Sequence, residues 1–586
     1  MSCARLAVVI AWSATALCGS ARAQSIADLT GLTALRARVG SALTPTGAGV
    51  RVGQVEASAP GYLPDPSHSE FTGKSFNGFS GLSGSSGHAT AVGQYYYGSA
   101  TGVAPGPVDV DCYEAGHWLS NGFINGSGPT PPHTALFKVL NNSWIGAGGS
   151  AANIQMRKLD FAIESQGLVV ASGVNNGAGA LDVPLLSHAF NGLSVGRSDG
   201  QHRAGPTLAG FDRPGRMKPE MVAPAGATSF ATPLVAGGAT LLVETARTWP
   251  SLVGNDNAQR PEVIKAALMA GAEHRSGWSN GALTSGPLRG ETTTPLDPLW
   301  GADELDVNHA HWILTGGEQP SAPSAAAALP IAHAGWERVL TASNSSRFWR
   351  FDVERAKPFV SIVATWNRQT ATNFGSFSRP EFDLELWSID GSGALGSLVG
   401  DSGVAAFAGG NVRSASAVDN VEHLYVTGLQ PGSYVLELRR TADALAPWNV
   451  AVAWELRCAD PVAYGSGKLT SLGQEALLGF EGFASHEQDD FELRVTQALP
   501  NVAGVAFWGL APASAPFQGG VKWVAAPTQR MGVVQTDANG AVSIPVPVDA
   551  GMVGQTRYYQ FWFRDPAHPD GTTVGLTNGL AVSFCR

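Results

Sequence analysis

Residues 50–55 read VRVGQV, a short apolar run next to a glycine, as is typical of a buried parallel strand. Similar short runs recur at residues 136–140 and 167–170. Helical patterns are found at residues 234–246 and 261–268. This mixture of strands and helices predicts a doubly wound α/β domain built on a parallel sheet. The reactive groups of such a domain collect at the carboxyl ends of its strands.

The composition sets limits on what the chain can do. It has 586 residues, which predicts three or four domains at about 100–200 residues each. Lys and Arg number 37 against 47 Asp and Glu, so the net charge is −10, and only 14% of residues are charged. Because no basic cluster stands out, no nucleic-acid partner is expected. The hydrophobic content of 44% is enough to fill real cores.

The first 23 residues have the features of a secretory signal peptide. Arg5 precedes an apolar stretch at residues 6–17, and small and polar residues lead to Ala-Arg-Ala at 21–23. We therefore expect cleavage before Gln24 and a secreted protein, extracellular or periplasmic. No later apolar run reaches about 18 residues, so no membrane span is expected.

Removal of that segment leaves three cysteines, Cys112, Cys458 and Cys585. An oxidising compartment allows one disulfide and one spare thiol. Cys458 and Cys585 bracket the last part of the chain, and closing a loop of about 100 residues or more stabilises a fold by about 4–5 kcal/mol in the chain-entropy model. The sequence predicts this disulfide and gives Cys112 no evident role.

The pattern changes after residue 310 and predicts further domains. Residues 24–315 form the α/β domain, and residues 316–334, rich in Pro, Ser and Ala, are expected to be a linker. Alternating strands and six tryptophans predict a β-sandwich at residues 335–456. Short strands recur at residues 457–586 and predict a second β-sandwich, closed by the disulfide. The fold class is therefore a multidomain chain, an α/β doubly wound parallel-sheet domain followed by two β-sandwich domains.

Ser229 is the first candidate for chemistry, in the run ATSFATP at residues 227–233, where a loop enters an apolar helix. A hydroxyl at that place feels the positive end of the helix dipole, which favours the negative charge that develops during attack. If Ser229 is considered alone, the simpler alternative is a helix N-cap.

Two further residues argue against that alternative. His88 begins another helical pattern among small neighbours, and a histidine is well suited to carry a proton near neutral pH. Glu56 ends the first strand, and a carboxylate can orient an imidazole and stabilise its cation. Asp65 is the alternative orienting group, but it lies in a Pro-rich loop. We expect a catalytic triad of Glu56, His88 and Ser229.

Taken together, these segments resemble the subtilisin-like serine peptidases, or subtilases, over roughly residues 30–310. The family order of acid, His and Ser is met by Glu56, His88 and Ser229, and the family's G-T-S-x-A-T-P motif is matched except for Ala227. The resemblance implies a subtilisin-like fold for the first domain. It also implies a secreted serine endopeptidase that hydrolyses peptide bonds through an acyl-enzyme, with a protein or peptide substrate.

The same resemblance extends to residues that would bind substrate. In the segment at residues 169–177, Asn175 matches the family's oxyanion-hole Asn best, and such a donor is worth about 3–4 kcal/mol. Residues 141–144 resemble the strand edge that pairs with an extended peptide, which implies substrate contacts at Ser143 and Trp144. Gly173, beside the Asn segment, is expected to contribute to the same site.

The departures from the family pattern motivate a rival interpretation. Glu56 stands where the family has Asp, so its carboxylate reaches one methylene further, and Ala89 and Ala227 replace glycines. The alternative is therefore a catalytically inactive subtilase-fold scaffold that acts in surface binding or adhesion. No acidic cluster has calcium-loop spacing and no His/Cys set has zinc spacing, so no metal or cofactor is expected.

The sandwich at residues 335–456 resembles the prepeptidase C-terminal domains of secreted bacterial peptidases. The resemblance rests on Asp-Leu-Glu-Leu at residues 383–386, on residues 419–424 and on the turn at residues 431–434. It implies a role in secretion or surface binding, so contact with a cell surface or a polysaccharide through the C-terminal sandwiches is an expected partner interaction. The tryptophans of this stretch are expected to pack in the core, and sugar binding is the alternative.

Overall fold

The computed structural model of the chain describes residues 25–57, 61–81, 84–487 and 490–586. The predicted signal peptide at residues 1–23 lies outside the described residues. Within those described ranges, no helix is both long enough and apolar enough to cross a membrane.

A seven-stranded parallel sheet organises the first part of the chain. The strands in chain order are β1 (Val52–Glu56), β2 (Ser75–Gly78), β3 (Asp109–Glu114), β4 (Val139–Asn142), β5 (Val169–Gly173), β6 (Leu193–Arg197), the short antiparallel pair β7 (Gly205–Pro206) and β8 (Met217–Lys218), and β9 (Met221–Ala223). The sheet order is β2-β3-β1-β4-β5-β6-β9, which places the ends of β1, β4 and β5 side by side.

Helices cover both faces of this sheet. They are α1 (Ile26–Leu29), α2 (Leu32–Val39), α3 (Gly87–Tyr97), α4 (Ala115–His117), α5 (Ala152–Gln166), α6 (Thr228–Thr248), α7 (Pro261–Ala270) and α8 (Val307–Thr315). Alternate strand residues feed two cores, so Val52 packs with α6, whereas Val55 packs on the other face with α5. The predicted helices fall within α6 and α7, and the doubly wound α/β fold is confirmed.

Two further sheets follow and fit a β-sandwich. Their strands are β10 (Glu291–Thr292), β11 (Ala334–Thr341), β12 (Ser345–Val353), β13 (Lys357–Thr365), β14 (Gln369–Thr370), β15 (Phe377–Ser378), β16 (Phe382–Ile389), β17 (Leu395–Ser397), β18 (Gly409–Gly410), β19 (Arg413–Ser414), β20 (Val421–Leu429), β21 (Gly432–Arg440) and β22 (Trp448–Leu456). β14 pairs with β15, and the two main sheets run β10-β19-β16-β21-β12, with β17 beside β16, and β11-β22-β13-β20-β18. Trp349, Trp366 and Trp454 are fully buried in the core shared by these sheets, as expected for packing residues.

The segment at residues 316–334, predicted as a linker, forms backbone hydrogen bonds with the two strands that follow it. Gln319 N–H donates to the carbonyl of Trp336 on β11, and Ala322 exchanges backbone hydrogen bonds with Phe348 on β12. β11 and β12 are edge strands of the two sheets, so the segment covers edges that would otherwise be unpaired. Its lack of periodicity reflects this irregular pairing. The sandwich also packs on the α/β unit, because Trp336 belongs to the core formed with α6, α7 and α8.

The last part of the chain is also built from β-strands. They are β23 (Val462–Tyr464), β24 (Leu477–Glu481), β25 (Glu492–Thr496), β26 (Ala503–Gly509), β27 (Pro512–Phe517), β28 (Gly520–Val524), β29 (Gln529–Gln535), β30 (Val542–Pro545), β31 (Thr556–Arg564), β32 (Val574–Leu576) and β33 (Gly579–Ser583). One sheet runs β23-β33-β31-β26-β29 with β32 beside β31, a second runs β24-β25-β30, and β27 and β28 form a hairpin. Cys458 and Cys585 form the predicted disulfide, and Cys112 is a buried free thiol on β3.

Candidate active site

The predicted site residues meet at the carboxyl edge of the parallel sheet. Glu56 is the last residue of β1, Ser143 follows β4 directly, and Gly173 is the last residue of β5. His88 and Ser229 lie in the first turns of α3 and α6, which begin near this edge. The topology therefore gathers residues that are far apart in the sequence at one place.

A pocket of about 360 Å³ opens between these elements, a size suited to a ligand of moderate dimensions. Its lining residues are Ala57, Ser86, His88, Ser143, Trp144, Ile145, Gly173, Asn176, Thr228 and Ser229. The lining thus includes the predicted His88, Ser143, Trp144, Gly173 and Ser229. Glu56 lies behind His88 and is almost completely buried.

His88 and Glu56 form the central polar contact of the site. His88 Nδ1 lies 2.7 Å from Glu56 Oε2, with 44% of the His88 side chain exposed against 1% for Glu56. The hydrogen bond to Glu56 raises the pKa of His88 above its usual value, although desolvation opposes it. Burial raises the pKa of the Glu56 carboxyl, and the hydrogen bond from His88 opposes that rise. The arrangement stabilises an imidazolium whose other ring nitrogen is free to face the pocket.

Gln54 supports Glu56 from behind, and sequence reasoning missed it. Gln54 Nε2 donates to Glu56 Oε1 at 3.0 Å and to the carbonyl of Ala89 at 2.9 Å, while Tyr97 Oη donates to Gln54 Oε1 at 2.5 Å. Residues two apart on a strand share a face, so the signal was the polar pair Gln54 and Glu56 on a buried strand. These contacts fix the longer glutamate side chain in the position from which it reaches His88.

Asp65, the alternative orienting group, does not reach His88. Its carboxylate accepts hydrogen bonds from the backbone and the hydroxyl of Ser67, at 2.9 and 2.7 Å. Its backbone N–H donates to the hydroxyl of Thr90 on α3. Asp65 therefore organises its own loop, and the geometry favours Glu56 as the partner of His88.

A proline in α6 shapes the surroundings of Ser229. Pro233 has no N–H, so the carbonyl of Ser229, four residues earlier, lacks its helical donor. Ser143 supplies that donor, since its hydroxyl lies 2.8 Å from the Ser229 carbonyl oxygen. In return, Ser229 Oγ points to the carbonyl oxygen of Ser143 at a long 3.5 Å. Ser143 thus holds the start of α6 against the end of β4.

The Ser229 hydroxyl and the His88 ring line the same pocket without a hydrogen bond between them. Among the hydrogen bonds of the described residues, none joins His88 to Ser229, although both side chains line the pocket. Phe230 lies next to Ser229, with its ring 5.9 Å from that of His88 and stacked on Tyr95. The Ser229 hydroxyl is directed to the Ser143 carbonyl instead.

Of the two adjacent asparagines, Asn176 and not the predicted Asn175 lines the pocket with Ser229. Asn175 Nδ2 donates to the carbonyl of Leu181 at 3.0 Å, and Asn175 does not line the pocket. Asn176 lines it, and its Oδ1 accepts from the Thr228 N–H at 2.9 Å. With Oδ1 engaged, the Asn176 NH₂ has no acceptor among the described residues, in the pocket that Ser229 also lines. The two asparagines are adjacent, so the sequence motif matched both within one residue.

The remaining predicted residues form walls of the pocket. A side chain at Gly173 would place its Cβ 2.9 Å from Thr232 Oγ1, so the glycine permits the close approach of α6 to β5. Trp144 is mostly buried, and its indole N–H donates to Asn142 Oδ1 at 3.3 Å. Its neighbour Ile145 is 42% exposed and presents an apolar side chain to the pocket. The site combines polar groups on one side with an apolar wall on the other.

One group of side chains in the described parts of the chain has a spacing that suits a metal ion. Ligand atoms of Glu273, Asp306 and His309 lie within 4.8 Å of one another. Each already has a partner, because Glu273 pairs with Arg457, Asp306 caps α8, and His309 contacts Glu455 at 2.7 Å. None of the three lines the pocket of His88 and Ser229.

Comparison with known proteins gives a family for the centre of the first domain. The model of the subtilase family, Peptidase_S8, matches residues 85–283, a range that starts after Glu56. No curated protein matches the chain. Fervidolysin from Fervidobacterium pennivorans, described as a keratinolytic enzyme related to subtilisin, is 14% identical, with a TM-score of 0.33 and 94% of this chain and 77% of that chain covered. The prenylagaramide maturation protease PagA is 18% identical, with a TM-score of 0.31 and coverages of 45% and 92%.

The family model covers the strands β3, β4, β5, β6 and β9 of the parallel sheet completely. The matched range contains His88, Asn176 and Ser229, which meet in the pocket described above. Residues 85–283 therefore match the subtilase family, and this matched range contains most of the pocket lining.

Proposed function

We propose that this protein is a secreted serine endopeptidase that uses Ser229 as nucleophile, His88 as general base and Glu56 as the orienting acid. The observation that carries the proposal is the 2.7 Å contact between His88 Nδ1 and Glu56 Oε2 at the back of a pocket that Ser229 lines. A carboxylate in that position holds the imidazole in the tautomer that can accept a proton at Nε2.

The reaction then follows from the positions of these groups. His88 Nε2 takes the proton of the Ser229 hydroxyl as its oxygen attacks the substrate carbonyl, and the Asn176 NH₂ donates to the oxyanion that forms. His88 passes its proton to the departing amine, which leaves an ester on Ser229. Water attacks that ester in the second half, His88 takes a proton from the water, and the acid product leaves as Ser229 regains its proton.

The buried carboxylate also sets the pH range of the reaction. His88 must be neutral to accept the proton of Ser229. The hydrogen bond to Glu56 raises the pKa of His88 above 6.5, the usual value for histidine. The neutral form of His88 therefore becomes the major form at a higher pH than in an unperturbed histidine. We expect kcat/KM to rise with pH through a midpoint above 6.5.

Secretion is part of the proposal and is supported by the signal-like residues 1–23 and by the disulfide between Cys458 and Cys585. Disulfides persist in oxidising compartments, whether extracellular or periplasmic. Expression with the native N-terminus, followed by mass determination of the exported protein, tests this point. A mature N-terminus other than Gln24, or retention inside the cell, contradicts it.

The central test compares Ser229→Ala with Ser251→Ala, a control at an exposed serine outside the pocket. Loss of a triad serine costs about a million-fold in kcat, so Ser229→Ala should have no measurable turnover of casein, while Ser251→Ala should match the wild type. A fluorophosphonate probe should label the wild type and should not label Ser229→Ala. Equal degradation by Ser229→Ala would refute the role of Ser229. A wild type that neither degrades casein nor reacts with the probe would favour the inactive scaffold.

A further inference from the structure

The last domain carries aromatic side chains on the outward face of one sheet. On β31, Phe561 and Phe563 are fully buried in the core, so Trp562 between them faces the opposite side. On the neighbouring β26, Val505 pairs with Trp562, and Phe507 shares its face. The outward face of an antiparallel sheet usually carries polar residues, so this patch has no explanation in the packing of the domain.

These side chains form the floor of a pocket of about 340 Å³. The hairpin of β27 and β28 supplies one wall, and the start of β29 supplies the other. The lining residues are Val505, Phe507, Phe517, Gln518, Lys522, Thr528, Arg530 and Trp562. The pocket lies in a different domain from Ser229 and shares no residue with the proposed peptidase site.

The pocket is positively charged. Lys522 and Arg530 are its only ionisable lining residues, and neither side chain forms a salt bridge or hydrogen bond with any described residue. Lys522 Nζ lies 5.9 Å from the centre of the Phe507 ring. Arg564 adds a third cation at the same distance from the Trp562 ring. Two unpaired cations above an apolar floor are complementary to a ligand that carries negative charge.

Polar groups at the rim suit a ligand with hydroxyls. The indole N–H of Trp562 donates to Gln518 Oε1 at 2.8 Å, which fixes the indole ring and leaves the Gln518 NH₂ as a free donor. The Thr528 hydroxyl, also in the lining, forms no hydrogen bond within the described parts of the chain. The pocket therefore offers flat apolar faces, hydroxyl-binding groups and two cations within one concave surface.

We propose that this pocket binds a carboxylated sugar unit of an acidic polysaccharide. The apolar face of a pyranose ring stacks on the half-buried Trp562, while the buried Phe507 completes the floor. The sugar hydroxyls meet Gln518 and Thr528, and the carboxylate meets Lys522 and Arg530. An acidic peptide side chain would satisfy the cations, but it has neither the flat face nor the hydroxyls. The proposal is independent of the peptidase chemistry.

The test is binding of the full chain, carrying Ser229→Ala to prevent self-digestion, to polygalacturonate in affinity electrophoresis and titration calorimetry. Dextran, heparin and poly-L-glutamate serve as neutral, sulfated and peptide comparisons. We expect binding to polygalacturonate that weakens with added salt, as charge pairing requires. Lys522→Gln and Arg530→Gln should each raise Kd tenfold or more, and Trp562→Ala should raise it further.

Arg36→Gln is the matched control, because it removes one exposed positive charge from α2, far along the chain from the pocket. It should bind as the unmodified chain does. The proposal is overturned by absence of binding, by equal binding of dextran, by poly-L-glutamate or heparin binding as tightly as polygalacturonate, or by unchanged binding in Lys522→Gln and Arg530→Gln. Both of these change solvent-facing charges, and a thermal unfolding curve matching that of the control shows that each variant is folded.

Discussion

The subtilases have an aspartate where this chain has Glu56, so the length of this side chain can be used to test the proposed triad. Glu56→Asp should lower activity, even though it restores the family's residue. Removing one methylene withdraws the carboxylate by about 1.5 Å, one C–C bond length, and lengthens the 2.7 Å contact with His88 to about 4 Å. That distance is too long for a hydrogen bond. The contact from Gln54 Nε2, at 3.0 Å, is lost for the same reason.

The cost follows from the misplacement. A displacement of about 1 Å in a catalytic group costs about 100-fold, or about 2.7 kcal/mol, so kcat/KM of Glu56→Asp should fall by about 100-fold. The pH profile should shift as well. Without the hydrogen bond that raises the pKa of His88, desolvation dominates, and the midpoint of the rising limb should move to lower pH.

The assay is the pH dependence of kcat/KM on a chromogenic peptide. Asp65→Asn is the control, because the Asp65 carboxylate accepts hydrogen bonds from Ser67 in its own loop and does not reach His88. Gln54→Leu keeps the length of the glutamate and removes its second hydrogen bond, so we expect an intermediate loss of about tenfold. If Glu56→Asp retains at least half of the wild-type activity at every pH, the contact between Glu56 and His88 does not have the proposed role. A loss in Asp65→Asn equal to that in Glu56→Asp would point to the other carboxylate.

Asn176→Ala should lower kcat by about 100- to 1000-fold through loss of the oxyanion donor. Asn175→Ala should stay within tenfold of wild type. A larger loss in Asn175→Ala than in Asn176→Ala would favour Asn175 as the donor, as the sequence predicts. Replacing Cys458 and Cys585 with Ala opens a loop with a sequence separation of 127. In denaturant titrations, this should lower the free energy of unfolding of the last domain by about 4–5 kcal/mol, and a change below about 1 kcal/mol would refute the chain-entropy reasoning. Cys112 should react with Ellman's reagent only after denaturation, because burial raises the pKa of its thiol and excludes the reagent. Fast labelling of the native protein would contradict the buried position of Cys112 on β3.

The local pattern of the chain determined the order of its elements. Apolar runs such as residues 50–55 are short, which fits buried parallel strands, and they correspond to β1, β4 and β5. Motif spacing was also informative, because His88 and Ser229 each fall at a helix start, and they line one pocket. The pairing of Cys458 with Cys585 followed from simple counting once Cys112 was set aside. Strands and helix starts depend on neighbours in the sequence, which is why they could be read from it, and the disulfide could be read because few cysteines are left to pair.

Contacts between distant segments decided the rest. Which of Asn175 and Asn176 faces the pocket depends on which side chain accepts the hydrogen bond from the Thr228 N–H. That contact depends on how α6 packs against the loop after β5, so a sequence motif does not distinguish two adjacent asparagines. The support of Glu56 by Gln54 needed Tyr97 on α3 to be brought beside β1. The Pro, Ser and Ala content of residues 316–334 predicts a linker, but composition says nothing about the sheet edges to which this segment is hydrogen-bonded. Side-chain chemistry is encoded locally, but its partners are set by packing across the whole chain, and that is what only the tertiary structure supplied.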